Sequence, residues 1–324
     1  MQKEQVIIIG GGPCGMSCAI ELQKYGFNPL IIEKENVVNT IYNFPTHQTF
    51  FSSSEKLEIG GVPFITEKQK PVRNQALAYY RTVADRKQLR INTYEKVTDV
   101  KQVDNHFRLS TKKNTREREQ YLADHVVVAT GYYDHPNYMN IPGEGSHKVM
   151  HYFKEAHSYY NKNVAIIGGK NSAVDATLEL HKAGANVTVF YRGETYSESI
   201  KPWILPEFDS LIRKDIVQMH FNSEVTAIKN NYIHYTTGGQ TYTLKNDFVF
   251  AMTGYKPDLH FLKDIGIVID EQSGIPHFNE NTYETNIPGI YVAGVVAAGY
   301  NNNKIFIENG RYHGEQIAKA IYNQ

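Results

Sequence analysis

A continuous apolar run from Val6 to Ile9 ends in three glycines, Gly10 to Gly12. From Pro13 to Tyr25 the apolar positions follow a mixed helical pattern that Gly26 closes, and a second short apolar run follows from Asn28 to Ile32. Strand, glycine turn, helix and strand in that order make a βαβ unit with parallel strands buried on both faces. The same order recurs later. A strand from Lys162 to Ile167 meets Gly168-Gly169, a helix runs from Ser172 to Lys182 with Gly184 as its stop, and Asn186 to Tyr191 is the next strand.

Between these units lie short segments that read as β-meanders. After a helix at Arg73 to Arg86 they fall at Leu89 to Ile91, Lys96 to Val103, Phe107 to Ser110 and Thr115 to Leu122. After the second unit they fall at Val217 to Phe221, Val225 to Lys229, Tyr232 to Thr236 and Thr241 to Leu244. Two apolar strands, Asp124 to Thr130 and Asp247 to Met252, each run into a Thr-Gly pair: Thr130-Gly131 and Thr253-Gly254. A strand from Ile290 to Val296, passing through Gly294, and a single helix from about Phe306 to Ile321 close the pattern. Its N-terminus would point at a ligand, where a helix dipole favours negative charge. Pro136 to Gly145 is rich in Pro, Gly and Asn and marks one boundary, and Tyr255 to Asp258 marks the other. The expected fold class is therefore α/β. It has two Rossmann-like, three-layer ββα dinucleotide-binding domains, the second inserted into the first: residues 1–135 with 255–324, and residues 136–254.

The first turn has the spacing Gly-x-Gly-x-x-Gly. Gly10 makes the tight bend, Gly12 lets a pyrophosphate approach the backbone, and Gly15 lets the helix press against the strand. Pro13 suits the first helical position, where its missing N–H costs nothing. The helix N-terminus offers free N–H groups to a diphosphate. Glu33, 18 residues after Gly15, stands at the tip of the second strand. A carboxylate there accepts both ribose hydroxyls and repels a 2′-phosphate, so this site suits FAD or NAD. In the second unit Gly168 and Gly169 form the turn and Asn171 and Ser172 open the helix. Arg192, at the strand tip in place of an acid, suits the 2′-phosphate of NADPH. Lys170 departs from the pattern by standing where the second glycine belongs. Its side chain either obstructs a pyrophosphate or pairs with it.

Composition narrows the function classes. Lys plus Arg and Asp plus Glu both number 34. That balance removes the argument for a general nucleic-acid or membrane-surface binder. The opening MQKEQVIIIGGG reads as a first strand and not as a signal peptide, because its apolar run is short and enters a glycine turn. No apolar run approaches the ~18 residues that span a bilayer. The two cysteines, Cys14 and Cys18, cannot build a disulfide framework or a thiolate-rich metal site, so no metal centre is expected, and they fit a cytoplasmic location. At positions i and i+4 of a helix their Cβ atoms would stand ~5–6 Å apart, beyond the ~3.5–4.5 Å of a disulfide. For Cys14 the helix dipole lowers the thiol pKa and a bound pyrophosphate raises it, with the balance open. The 23 tyrosines and 15 phenylalanines are read mainly as packing. His47 is read mainly as a surface or hydrogen-bonded structural histidine.

Taken together, GGGPCG, Glu33, Ala129-Thr130-Gly131, Asn171-Ser172-Ala173, Thr253-Gly254 and TNIPGIYVAG resemble the two-dinucleotide-binding-domain flavoproteins that include thioredoxin reductase. The resemblance runs over essentially the whole chain. GGGPCG, THQTFFSSS, GGKNSA and KPWILP are similar, more specifically, to YpdA-type bacillithiol-disulfide reductases. The resemblance implies FAD and NADPH as cofactors, a low-molecular-weight disulfide such as bacillithiol disulfide as substrate, and Cys14 as the redox-active residue. Two departures stand out. The thioredoxin reductase Cys-x-x-Cys is absent from VMHYFKEAHSYYNK, so thioredoxin cannot be reduced by that dithiol relay. Val295 follows Gly294 where an Asp commonly binds the flavin ribityl chain, so another group or the backbone must make that contact. An NADPH–ferredoxin or –flavodoxin reductase, a flavin monooxygenase and a non-enzymatic NADPH or thiol sensor remain as rivals. A homo-oligomer is compatible with the chain.

Overall fold

The computed structural model describes residues 1–301 and 303–324. In chain order the first elements are β1 (Gln2–Ile9), α1 (Pro13–Lys24), β2 (Leu30–Ile32), α2 (Asn39–Tyr42), α3 (Ser54–Leu57), α4 (Arg73–Arg86), β3 (Arg90–Asn92), β4 (Glu95–Val103), β5 (His106–Lys113) and β6 (Arg118–Val128). The next are β7 (Val149–Met150), β8 (Asn163–Ile167), α5 (Asn171–Lys182), β9 (Asn186–Phe190), α6 (Leu205–Arg213), β10 (Gln218–His220), β11 (Ser223–Ile228), β12 (Tyr232–Thr237), β13 (Gln240–Lys245) and β14 (Phe248–Ala251). The last are α7 (Leu259–Asp264), β15 (Ile290–Val292), α8 (Ile307–Gly310) and α9 (His313–Tyr322).

The chain divides into two compact units, Met1–His135 with Tyr255–Gln324, and Pro136–Gly254. In the first unit β1 lies between β2 and β6, parallel to both, β3 extends the sheet beyond β2, and β15 joins β6. Successive residues of β1 point to opposite faces. Val6 and Ile8 pack with α1, α4 and α9, while Ile7 and Ile9 pack with β4, β5 and α7. Both faces are covered, which is why the run is continuously apolar rather than alternating. In the second unit the order is β10-β9-β8-β14-β7. Val164 and Ile166 of β8 face α5 and α6, and Ala165 faces the β11-β12-β13 meander. Each unit thus has a helix layer, a parallel sheet and a meander.

Three expectations are corrected. The segments 115–122 and 124–130 form one strand. β6 pairs with β5 over Arg118–Ala123 and with β1 over Tyr121–Val128, because no turn residue interrupts Leu122-Ala123-Asp124. The terminal helix is broken. At the break the Arg311 carbonyl accepts the Ser17 hydroxyl at 2.6 Å, and a Cβ at Gly314 would stand 2.8 Å from Cys18 Cα, so the segment presses directly onto α1. The four-residue α8 has too few aligned peptides for the strong dipole expected of one long helix. In addition, the strand at 290 ends at Val292, and a 3-10 turn takes Gly294–Ala298.

At the boundaries the passing segments are hydrogen-bonded in pairs. Asn137 donates its N–H to Gly254 O at 2.9 Å, and Thr253 Oγ1 donates to Asn137 O at 2.6 Å. On the other side Lys256 donates its N–H to His135 O at 2.9 Å.

Candidate functional site

The first turn is set by three glycines with different duties. Gly10 has φ +113° and sits under Ala129, where a Cβ would collide with the carbonyl oxygen; a Cβ at Gly15 would collide with Gly10 O. Gly12 differs, because a Cβ there would meet nothing within 4 Å. Space is therefore open beside Gly12, the N-cap of α1, and no side chain caps that helix, which begins at Pro13. Open space at unpaired helical N–H groups fits a diphosphate.

Glu33 is 8% exposed. Its Oε2 accepts the Gly11 N–H at 2.7 Å and its Oε1 accepts the Glu35 N–H at 2.9 Å. Burial pushes the carboxyl upward, and the two amides and Lys34 oppose that shift. A carboxylate has about four acceptor positions, so lone pairs remain for a ribose diol. Lys34 forms a 2.8 Å ion pair with Asp134. Thr130 and Gly131 follow β6, both half-buried. Gly131 has φ +73°, and a Cβ there would meet nothing within 4 Å. Beside them Tyr133 lies 4.5 Å from Tyr255 and 5.4 Å from Phe44, ring centre to ring centre. His47 is exposed.

Cys14 occupies the first turn of α1, but its sulfur is directed into a seat made by two other segments. A Cβ on either Gly294 or Gly310 would stand 3.0 Å from Sγ. Burial pushes the Cys14 thiol up to about 12, which favours the protonated form. Cys18 is buried and its thiol is also pushed up by burial. His313, which the sequence reading passed over, fixes the same place. Its Nδ1 accepts the Gly294 N–H at 3.1 Å, and its ring stacks on Tyr283 at 4.1 Å. Burial pushes this histidine down to about 4, so it is neutral and keeps the acceptor. Val295 is half-buried and brings no carboxylate. No pattern in IENGRYHG distinguishes His313 from a surface histidine; only the tertiary contact does.

The second turn repeats the backbone of the first. Gly168 donates to Phe190 O at 2.9 Å as Gly10 donates to Ile32 O at 2.9 Å, and Tyr191 donates to His220 O at 2.9 Å as Glu33 donates to Asn92 O at 2.8 Å. The position of Glu33 is therefore held by Tyr191, and Arg192 matches Lys34. This refines the reading that put Arg192 in the place of the acid. Lys170 is the N-cap residue of α5 and is exposed, as are Ser172 and Arg192. Among the described residues Lys170 and Arg192 make no ion pair. The Tyr191 ring lies against Gly169, where any Cβ would collide with it. Asn171 turns away from the open turn: its Nδ2 donates to Ser199 O at 2.8 Å and its Oδ1 accepts the Lys201 N–H at 2.9 Å. It anchors the loop that carries Lys201 and Trp203 rather than offering its amide to a ligand.

Among the described residues there is no cluster of three or more His, Cys, Asp or Glu side chains fit to hold a metal, and no helix is long and apolar enough to cross a membrane.

Residues 7–294 match the pyridine nucleotide-disulphide oxidoreductase family. The chain is 58% identical over 323 residues to a Bacillus subtilis protein named bacilliredoxin reductase Bdr, covering 99% of this chain and 98% of the other. A solved structure of bacillithiol disulfide reductase Bdr (YpdA) from Bacillus cereus is similar with a TM-score of 0.98 and 60% identity, covering 99% of each chain. A thioredoxin reductase from T. acidophilum shares the fold, with a TM-score of 0.74 at 22% identity over 100% of this chain and 99% of that one.

Proposed function

The chain belongs to the pyridine nucleotide-disulphide oxidoreductase family, and from that premise we propose that it is an FAD-dependent reductase that takes electrons from NADPH and reduces bacillithiol disulfide. The overall reaction balances as NADPH plus one proton plus the disulfide giving NADP⁺ plus two thiols. The observation that carries the reading is one chain with two glycine turns of unlike local charge: a buried acid at the first, Glu33, and at the second two exposed cations, Lys170 and Arg192, that make no ion pair among the described residues.

A bound flavin supplies two-electron transfer between a dihydronicotinamide and a disulfide. The residues of this chain bind and orient. Gly10, Gly12, Pro13 and Gly15 shape the open N-terminus of α1 for the FAD diphosphate, Glu33 accepts from the adenosine ribose, and Thr130 and Gly131 bound the same cleft. His313 holds the Gly294 amide and so fixes the turn that would lie against the flavin. Gly168, Gly169, Lys170 and Ser172 shape the NADPH turn, Arg192 pairs with the 2′-phosphate, and Asn171 acts through the loop it anchors.

Cys14 is the thiol proposed to form a mixed disulfide with the substrate. In that step a Cys14 sulfur bonds to one substrate sulfur, the substrate S–S bond breaks, and one thiol leaves. The two electrons from NADPH then cleave the mixed disulfide. A second reading is favoured by the glycine seat: with its sulfur against Gly294 and Gly310 and its thiol pushed up to about 12, Cys14 serves packing, and the disulfide is reduced without an enzyme thiol. We place the protein in the cytoplasm, where both free cysteines stay reduced.

The test is an anaerobic NADPH titration of the flavin-loaded protein, followed by bacillithiol disulfide or, separately, a disulfide-bonded bacilliredoxin. Bleaching by NADPH and recovery of the flavin absorbance with bacillithiol disulfide are expected. No bleaching removes the reductase, and recovery only with the protein disulfide moves the substrate. Cys14→Ala at the wild-type rate selects the second reading.

A further inference from the structure

The two glycine turns are copies of one backbone with their charges inverted, and the inversion is centred on Tyr191. At the first turn the acid position holds Glu33, its neighbour Lys34 is neutralised by Asp134 at 2.8 Å, and the N-cap is Gly12. At the second turn the acid position holds Tyr191, its neighbour Arg192 has no ion-pair partner among the described residues, and the N-cap is Lys170. Glu194, two residues further on, is exposed and pairs with neither cation.

Tyr191 is also seated. A Cβ on Gly169 would stand 2.5 Å from its Cδ2, and one on Gly193 would stand 2.5 Å from its Cε1 and 3.1 Å from its hydroxyl. The ring therefore lies flat across a slot made by two glycines, one in the nucleotide turn and one just past Arg192. Arg192 follows the ring directly in sequence and is exposed. A carboxylate in that slot would bond the turn amide, as Glu33 does at Gly11, and would bring negative charge to the place a 2′-phosphate must occupy.

We infer that Tyr191 is a specificity-determining residue of the second nucleotide site: a neutral ring in the acid position that admits a 2′-phosphorylated adenosine beside Arg192 and Lys170. This rests on the NADPH reading above. The ring gives the adenosine an apolar wall and removes the acceptor pair that would otherwise select an unmodified ribose.

The test is calorimetric titration of the flavin-loaded protein with 2′,5′-ADP and with 5′-ADP, which differ only in the 2′-phosphate. Wild type should prefer 2′,5′-ADP. Tyr191→Glu should weaken 2′,5′-ADP roughly tenfold or more, since like charges in contact are strongly unfavourable, and shift 5′-ADP by under about threefold. Tyr191→Phe, which keeps the ring, should retain the wild-type ratio. Should the longer acid perturb the slot, seen as an altered 5′-ADP affinity, Tyr191→Asp carries the charge on a shorter chain. A wild-type ratio in both acidic variants overturns the inference, as does a loss in Tyr191→Phe equal to that in Tyr191→Glu. Absence of any preference in the wild type, with no response to Arg192→Ala, would instead remove the NADPH reading on which it rests.

Discussion

Nδ1 of His313 accepts the N–H of Gly294 at 3.1 Å, which couples the last helix to the turn after the last strand of the sheet. The ring must be neutral to do so, and burial holds its pKa at about 4 against an ordinary 6.5. The unfolded chain therefore binds this proton more readily than the folded one. Stability should be complete above about pH 6.5 and fall as the pH drops toward 4, by at most about 3 kcal/mol from this group. Urea titrations of wild type and His313→Gln across that range should differ in slope; parallel profiles would show that His313 does not set the acid limb.

A Cβ on Gly310 would stand 3.0 Å from the Cys14 sulfur, tighter than ordinary contact. Gly310→Ala should destabilise by about 1–3 kcal/mol through overpacking. Combining it with Cys14→Ala should restore part of the loss, with a coupling of about 0.5–3 kcal/mol in a double-mutant cycle. Additive losses would mean that Sγ does not occupy the seat.

Glu33 accepts two backbone amides and is the residue proposed above to accept the adenosine ribose. Glu33→Ala leaves the Gly11 and Glu35 amides without that partner, at a cost of about 1–3 kcal/mol. It should also weaken FAD binding about tenfold or more. Flavin content after exhaustive dialysis, compared with wild type, checks this. Full retention would confine Glu33 to shaping the turn.

Asp175 in α5 is raised from 3.8 to about 6, by burial first and Glu179 second, against Lys182. Here the folded chain binds the proton more tightly, so this group's contribution falls as pH rises from about 4 to 6. Asp175→Asn should be more stable than wild type by about 1–3 kcal/mol above pH 7 and show little advantage near pH 4. A pH-independent difference would assign the effect to packing instead.

The layer order was legible because it depends on local signals. Val6–Ile9 and Val164–Ile166 are buried and lie in unbroken apolar runs, and Gly10 and Gly168 stop each run at a turn. The start of α1 at Pro13 and both ends of α4 followed from the same kind of signal. Features that depend on contacts distant in sequence were hidden. Nothing local shows that Gly310 and Gly314 must press on α1, so the break between α8 and α9 was missed. Nor does spacing reveal that Asn171 turns toward Ser199 and Lys201. The strand-tip position was off by one, because counting from the glycines does not fix where β9 ends; the Gly168–Phe190 hydrogen bond does.

The paired bonds at the domain boundaries have a consequence for how the chain can be cut and rejoined. Asn137 and Gly254 meet within the inserted unit, and His135 and Lys256 meet within the host. Removing residues 136–254 would leave two host ends already one hydrogen bond apart, closable by a short peptide without stretching the backbone. The excised segment would start and finish at a single point on its own surface. The insertion can thus be read as a cassette, which a gene could gain, lose or exchange at one seam.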